Sequence, residues 1–315
     1  MTDYFDATPE RLIWRGDGET LVIQPWGRDS LRVRSAVMRE VIETGFALLP
    51  QKDQTAGVEG TGSTASITNG RLSAHLTSQT FFDAQTGYAR STCSIEFRNA
   101  EGAVLLRELG SGGSLKLTGR AFRPLLGGDH SLTVAFEPVP EEKLYGMGQY
   151  QQAILDIKGS TFELAHRNSQ ASVPFVLSSA GYGFLWHNPA IGRATFAANR
   201  TEWTAESSKQ LDYWITTGSE PAEISRNYAQ ATGYAPMMPE HGLGFWQSKL
   251  RYSSQEELLE VAREHKRRGL PMDVIVADFF HWPKMGDFRF EDEFWPDPSA
   301  MVAELRELGI ELMVS

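Results

Sequence analysis

Short runs in which apolar and polar residues alternate fill the chain from about residue 10 to residue 215. Leu21 and Ile23 alternate with polar neighbours, and Leu132, Val134 and Phe136 do the same further along. Alternation with a period of two is typical of strands that bury one face. Turn residues separate these runs and no helical periodicity intervenes, so the pattern predicts an antiparallel β-sandwich.

Turn residues mark where some of these strands end. Asn69-Gly70 tolerates the positive φ angles of a tight hairpin turn, and residues 99–102 (Asn-Ala-Glu-Gly) give a second hairpin signal. The glycine-rich segment 110–114 is predicted to be a loop. The alternative, a phosphate cradle, would need a helix directly after the glycines, and no helical pattern follows them.

The pattern changes near residue 220, and residues 236–239 (Pro-Met-Met-Pro) mark a domain junction. Beyond it the periodicity predicts strand, helix, strand, helix and strand. The elements are a short strand at 242–247, a helix from Ser254, a strand at 274–277, a helix from Asp297 and a strand at 310–314. Ser254 with Glu257 forms a capping-box pattern, and Asp297 with Pro298 suits an N-cap and first helical position.

We therefore predict two domains: a β-sandwich over residues 1–235, and the opening of a parallel α/β fold over 236–315. Three strands and two helices cannot cover the edges of their own sheet. We accordingly expect the chain to be the N-terminal part of a longer protein.

Charge and composition narrow the classes of partner. Thirty Lys and Arg residues stand against forty Asp and Glu, a net charge of −10, whereas nucleic acids and acidic membranes require a basic face. The sequence has neither an apolar stretch of membrane-spanning length nor a signal peptide at its start, so we expect a cytoplasmic protein. The single cysteine, Cys93, excludes a disulfide framework and a cysteine-rich metal site.

Candidate chemistry lies at the end of the strand 274–277. Asp278 follows it directly, with Phe279, Phe280 and Trp282 close behind. Ligand-binding groups of parallel α/β folds lie at the carboxyl ends of strands. A carboxylate beside aromatic rings suits sugar recognition. The alternative is a solvated aspartate beside aromatic residues that pack a domain interface, and the pattern itself does not decide between the two.

A second polar cluster lies between predicted strands, in residues 145–150, 156–159 and 166–169. We interpret it as turn chemistry, with a functional loop as the alternative. The histidines at 75, 130, 187 and 241 have no partner at metal-ligand spacing, and no zinc, phosphate-loop or nucleophile-elbow motif occurs.

Five stretches of the chain, in the same order, resemble glycoside hydrolase family 31. Three come from its second half: 244–255 (beginning Gly-Phe-Trp-Gln-Ser-Lys), 269–280 (Gly-Leu-Pro-Met-Asp-Val-Ile to Asp-Phe-Phe) and 294–310 (beginning Phe-Trp-Pro-Asp-Pro). Residues 145–148 and the pair 173–175 and 181–183 are similar to the family's N-terminal sandwich. The resemblance implies a galactose-mutarotase-like β-sandwich followed by a (β/α)8 barrel, here truncated in its third strand.

The family implies retaining hydrolysis of α-glycosides by two aspartates, one the nucleophile and one the acid/base, without cofactor or metal. Both lie on later barrel strands, so no residue of this chain is assigned a catalytic role, and we expect the chain by itself to be inactive. Asp278 matches the aspartate that binds hydroxyls of the cleaved sugar, and Phe279 lines the same pocket. Asn168 falls where many members carry an aspartate that reaches this subsite; its amide binds hydroxyls but has no charge.

Phe280 bears on the substrate. Many α-glucosidases of the family have an acidic residue there, near the sugar's hydroxymethyl group, whereas xyloside-cleaving members tend to have an aromatic ring. The substrate implied is thus a terminal, non-reducing α-linked xylose or glucose, with a lean towards xylose. A non-catalytic carbohydrate-binding module is the alternative. A mutarotase would need a His–Glu pair that we do not find, and the sequence leaves open whether the full-length protein is a homo-oligomer.

Overall fold

The computed structural model describes residues 4–52, 54–84, 87–110 and 118–315. It divides the chain into two compact units, Met1–Tyr234 and Ala235–Ser315. Residues 111–114 of the glycine-rich segment, for which we predict a loop, lie outside the described residues.

The described part of the first unit contains eighteen strands and one helix. The strands are β1 (Phe5–Thr8), β2 (Arg11–Gly16), β3 (Glu19–Pro25), β4 (Ser30–Val37), β5 (Gly57–Thr61), β6 (Thr64–Asn69), β7 (Leu72–Asp83), β8 (Tyr88–Arg98), β9 (Val104–Arg107), β10 (Arg120–Pro124), β11 (His130–Phe136), β12 (Leu144–Gln149), β13 (Thr161–Leu164), β14 (Ala171–Ser178), β15 (Tyr182–Trp186), β16 (Gly192–Phe196), β17 (Thr201–Ser208) and β18 (Leu211–Thr217). The helix, α1, is Pro221–Thr232.

These strands form three antiparallel sheets. The largest has the order β1-β2-β3-β4-β18-β15-β14-β12, and the two others have the orders β10-β11-β17-β16-β13 and β5-β6-β7-β8-β9. One apolar core takes residues from all three sheets, for example Trp14, Phe97 and Trp203. The prediction that the first two thirds of the chain form antiparallel strands is confirmed.

The hairpin predicted at Asn69-Gly70 joins β6 to β7. Gly70 has φ +59°, and a Cβ at this position would lie 2.1 Å from Oδ1 of Asp29. The turn therefore requires glycine for two reasons, backbone conformation and the close approach of a carboxylate. The second predicted hairpin joins β8 to β9, with Gly102 at φ +80°.

The sequence analysis missed α1. Its buried residues, Ile224, Asn227 and Ala231, recur at helical spacing, and the helix packs on β15 and β18. Three buried positions are a weaker periodic signal than a long amphipathic stripe, and one of them is polar. Asn227 is buried because its amide donates to Oγ1 of Thr216 at 2.9 Å and to the carbonyl of Thr217 at 3.2 Å.

The second unit has the predicted order of strands and helices. It contains β19 (Trp246–Gln247), α2 (Gln255–Arg267), β20 (Val274–Ala277), α3 (Pro298–Glu307) and β21 (Glu311–Val314). β19 and β21 both pair with β20 in parallel. The first strand is shorter than the predicted 242–247, because Glu240–Leu243 forms a 3-10 turn.

Local sequence signals fix the ends of these elements. The hydroxyl of Ser254 accepts the Glu257 N–H at 3.2 Å, and Oδ1 of Asp297 accepts the Ala300 N–H at 2.9 Å, so both predicted N-caps are confirmed. The return bond of the capping box differs from the usual pattern, since the Glu257 carboxylate accepts from Ser253 rather than from Ser254. Gly309, at φ +66°, ends α3.

A buried ion pair links the middle strands of the largest sheet. Arg32 on β4 donates two hydrogen bonds to Asp212 on β18, at 3.0 and 2.7 Å, and both side chains are almost fully buried. His187 lies 3.2 Å from the same carboxylate through Nδ1, while its Nε2 accepts the backbone N–H groups of Ala47 and Leu48. The network therefore joins two strands to the segment that follows β4.

We predict that Asp212→Asn lowers the free energy of unfolding by about 3–5 kcal/mol, because it leaves the Arg32 guanidinium buried without its main counterion. Urea unfolding of the chain, followed by tryptophan fluorescence, measures this. Glu40→Gln is the matched control, because it breaks the exposed pair with Arg15 and should cost less than about 1 kcal/mol. Equal effects of the two substitutions would contradict the prediction.

Candidate functional site

The candidate site lies at the carboxyl end of β20. This strand is buried at Val274, Ile275 and Ala277 and is paired along both edges. Parallel pairing brings the carboxyl ends of neighbouring strands to one edge of the sheet, where ligand-binding groups of α/β proteins collect. The residues that follow β19 and β20 therefore meet there.

Asp278 is the first residue after β20, and its side chain is half-buried. Its Oδ1 accepts a hydrogen bond from the Ser315 hydroxyl at 2.8 Å, across the edge formed with β21. No other hydrogen bond to this carboxylate occurs within the described ranges. Asp278 thus retains capacity to accept hydrogen bonds from a ligand.

Phe279 and Phe280 both have left-handed backbone conformations, with φ of +31° and +65°. Such angles are rare for bulky residues and are found where the surroundings impose them, often at binding sites. The two ring centroids are 4.2 Å apart, and Trp282 lies 5.7 and 6.1 Å from them. The strained turn presents half-exposed aromatic rings directly beside a carboxylate.

His281 differs from its neighbours because it is buried, with 4% of its surface exposed. Its ring lies between those of Trp282 and Phe290, at 4.7 and 5.0 Å, and its carbonyl accepts the Glu291 N–H at 2.8 Å. Burial lowers the pKa of His281, and the nearby Asp278 carboxylate offsets this only in part. This histidine holds the loop in place and does not face a ligand.

The loop after β20 encloses a cavity of about 400 Å³. Its walls include Phe279, Trp282, Phe288 and Val314. Of the acidic residues in and after this loop, Asp287 pairs with Arg289 at 3.0 Å and Asp297 caps α3. These two acids have structural roles, which leaves Asp278 as the carboxylate best placed to meet a ligand.

Arg251 also reaches this edge, and the sequence analysis missed it. It follows β19, is exposed, and places its guanidinium carbon 5.1 Å from the centroid of the Phe280 ring. A position four residues after a strand was the only signal available, because the contact joins residues 29 positions apart in the sequence.

Asn168 lies in the first unit, whereas Asp278, Phe279 and Phe280 lie together in the second. It is exposed at the tip of a turn closed by Arg167 and Gln170, whose N–H and carbonyl groups pair with each other. Nearby, Oδ1 of Asp156 accepts the N–H groups of Leu144 and Lys158, both at 3.1 Å. The Asp156 contacts are turn chemistry.

Two further searches of the described residues bear on function. No group of three or more His, Cys, Asp or Glu side chains in these ranges is arranged to hold a metal ion. No helix in them has the length and apolar character of a membrane span, and the longest has 13 residues.

Comparison with known proteins gives the class of this fold. Residues 235–315 match the domain described as the glycosyl hydrolases family 31 TIM-barrel domain. The chain is 48% identical to an uncharacterised family 31 glucosidase of Pseudescherichia vulneris, over 96% of this chain and 58% of that protein. It is 31% identical to α-xylosidase A of Aspergillus niger, over 99% of this chain and 44% of that protein.

Solved structures agree. The crystal structure of a family 31 α-xylosidase from a soil metagenome, complexed with xylose, is 49% identical with a TM-score of 0.83, over 99% of this chain and 47% of that one. The chain belongs to glycoside hydrolase family 31, which confirms the resemblance found in the sequence. It spans about half the length of the curated relatives it matches most fully.

We predict that His281→Phe reduces the loss of stability at acid pH. The pKa of His281 is lower in the folded than in the unfolded chain, so folding favours the neutral ring. Its contribution is present above about pH 6.5, the ordinary pKa, and is lost as the pH falls below it, by about 1.4 kcal/mol for each unit of pKa difference.

Urea unfolding of the chain at a series of pH values measures this slope. His241→Gln, which removes an exposed histidine of the same unit, should keep the wild-type slope. If His281→Phe has the wild-type slope as well, burial of His281 does not govern this loss.

Proposed function

We propose that this chain is the N-terminal part of a retaining α-glycosidase that removes terminal, non-reducing α-linked xylose or glucose. The single observation that carries the proposal is the Asp278 carboxylate beside the Phe279 and Phe280 rings, at the carboxyl end of a parallel strand, in a chain of this family. In this proposal residues 1–235 are a β-sandwich and residues 236–315 begin a (β/α)8 barrel.

The site residues have distinct roles in the proposal. Asp278 accepts hydrogen bonds from hydroxyls of the cleaved sugar, and Phe279 covers an apolar part of the same subsite. Asn168, from the first unit, contributes an uncharged amide to it. The nucleophile and the acid/base belong to later barrel strands, so this chain supplies binding groups and the 315 residues alone have no hydrolase activity.

Phe280 favours xylose within this proposal. Its ring fills the space that a hydroxymethyl group on the sugar would need, and exclusion of a group of that size changes selectivity by ~1–3 kcal/mol. The names of the relatives give further support, since one is an α-xylosidase and the 49%-identical structure is an α-xylosidase with bound xylose.

The function is tested by kinetics of the whole protein on nitrophenyl α-xyloside and nitrophenyl α-glucoside. Asp278→Ala should lower kcat/KM by at least about tenfold, since a hydrogen bond to a charged group is worth ~1.5–3 kcal/mol. The melting temperature should change little, because the carboxylate has one described protein partner, Ser315.

Two controls accompany this experiment. Asp292→Ala removes an exposed acid of the same loop and should keep wild-type kcat/KM. The 315-residue chain alone should release no nitrophenol above the blank. Wild-type kcat/KM in Asp278→Ala would refute the binding role of Asp278, and a whole protein that hydrolyses neither glycoside would favour a non-catalytic carbohydrate-binding module.

Phe280→Asp should shift the preference of the whole protein from α-xyloside towards α-glucoside, because it opens space and adds an acceptor for the hydroxymethyl hydroxyl. The ratio of the two kcat/KM values should change by roughly tenfold to a hundredfold. Phe280→Leu keeps an apolar side chain there and should move the ratio less. An unchanged ratio in Phe280→Asp would show that Phe280 does not set the sugar preference.

A further inference from the structure

Arg251 is the one cation that contacts the aromatic turn beside Asp278. Its guanidinium carbon is 5.1 Å from the centre of the Phe280 ring, within the range of a cation–π contact. The Phe280 ring also packs against Phe279 and Trp282. The guanidinium is therefore placed at the same sheet edge as the proposed sugar site.

Arg251 differs from every other arginine of residues 235–315, all of which the structure describes. The other five each lie within 4.0 Å of a carboxylate oxygen, in the pairs Arg263–Glu256, Arg267–Glu264, Arg268–Glu264, Arg289–Asp287 and Arg306–Glu311. Arg251 has no carboxylate at this distance and donates no hydrogen bond to any described residue. Its planar group carries five N–H donors suited to bind a carboxylate in two places.

The surface around Arg251 is not short of acidic residues. Asp278, Asp287 and Glu291 all belong to the adjacent segment, and the chain has a net charge of −10. A guanidinium left unpaired among so many carboxylates is available to an anion from outside the protein. Repulsion from distant carboxylates does not prevent this, because charges more than about 8–10 Å away are largely screened at physiological salt.

The anion has two possible sources, the cleaved sugar or the leaving group. A carboxylate on the cleaved sugar would occupy the place of the hydroxymethyl group. The Phe280 ring fills that place in the proposed site, and a carboxylate is no smaller than a hydroxymethyl group. The leaving group has no such restriction.

We propose that Arg251 binds a carboxylate on the leaving-group side of the substrate, so that the enzyme prefers α-xylosides of an acidic aglycone. The proposal rests on the proposed function and names its substrate class. The guanidinium remains on the Phe280 ring and donates from its edge to the carboxylate, which the aromatic ring does not block.

The test compares two substrates of the whole protein, para-carboxyphenyl α-xyloside and its neutral counterpart, para-carbamoylphenyl α-xyloside. For each enzyme the ratio of kcat/KM for the acid to kcat/KM for the amide is measured. Dividing the wild-type ratio by the variant ratio cancels the different reactivities of the two leaving groups. Arg251→Gln should reduce the ratio about tenfold or more, as expected for loss of a charge-assisted hydrogen bond.

Lys249→Gln is the matched control. It removes one positive charge from the same strand end, but Lys249 is already paired with Glu257 at 2.6 Å, so the ratio should stay at the wild-type value. Arg251→Lys should keep part of the preference, because it keeps the charge and loses the planar fork. Melting temperatures should be similar, since both side chains are exposed.

Each outcome decides the matter. A wild-type ratio in Arg251→Gln overturns the inference while the proposed function stands, provided that the neutral xyloside is still hydrolysed. An equal fall in Lys249→Gln shows a general charge effect and also overturns it. Arg251-dependent hydrolysis of nitrophenyl α-glucuronide would place the anion on the cleaved sugar and refute the assigned position. Failure to hydrolyse any α-glycoside refutes the proposed function itself.

Discussion

The candidate site depends on the burial of one short parallel strand, β20. Its apolar residues lie between β19 and β21 and pack against α2 and α3, for example Ile275 against a core that includes Leu259 and Met301. Burial of a side chain of this size contributes ~1.5–3 kcal/mol, and the pairing along both edges fixes where the strand ends. The positions of Asp278, Phe279 and Phe280 follow from that end point.

The start of β20 is fixed equally closely. Oδ2 of Asp273 accepts the Phe245 N–H at 2.8 Å, and a Cβ on Gly244 would lie only 2.1 Å from Cγ of Asp273. Glycine at 244 therefore allows the chain entering β19 to approach the residue that precedes β20. Because both strands start in register, their carboxyl ends are also in register, and this brings Arg251 and Phe280 into contact.

The first unit solves a different problem, the joining of strands far apart in sequence. β4 pairs with β18, and the Arg32–Asp212 pair lies between them, 180 positions apart along the chain. Burial by itself would raise the pKa of Asp212, but the hydrogen bonds from His187 and Arg32 outweigh it and lower that pKa. The carboxylate thus stays charged in the interior, and any alternative pairing of these strands would leave a buried charge without a partner.

Local patterns in the sequence determined the elements and their ends. Alternation predicted the antiparallel strands, Ser254 and Asp297 predicted the two helix starts, and the apolar run before Asp278 predicted a buried parallel strand with a carboxylate at its end. These signals act over a few residues, so they can be seen in the chain itself. The tertiary structure decided which strands pair, that Phe279 and Phe280 take left-handed conformations, that His281 is buried, and that Arg251 lies on the Phe280 ring without a carboxylate partner. Each of these depends on contacts between residues brought together only when the sheets form, and no local pattern encodes them.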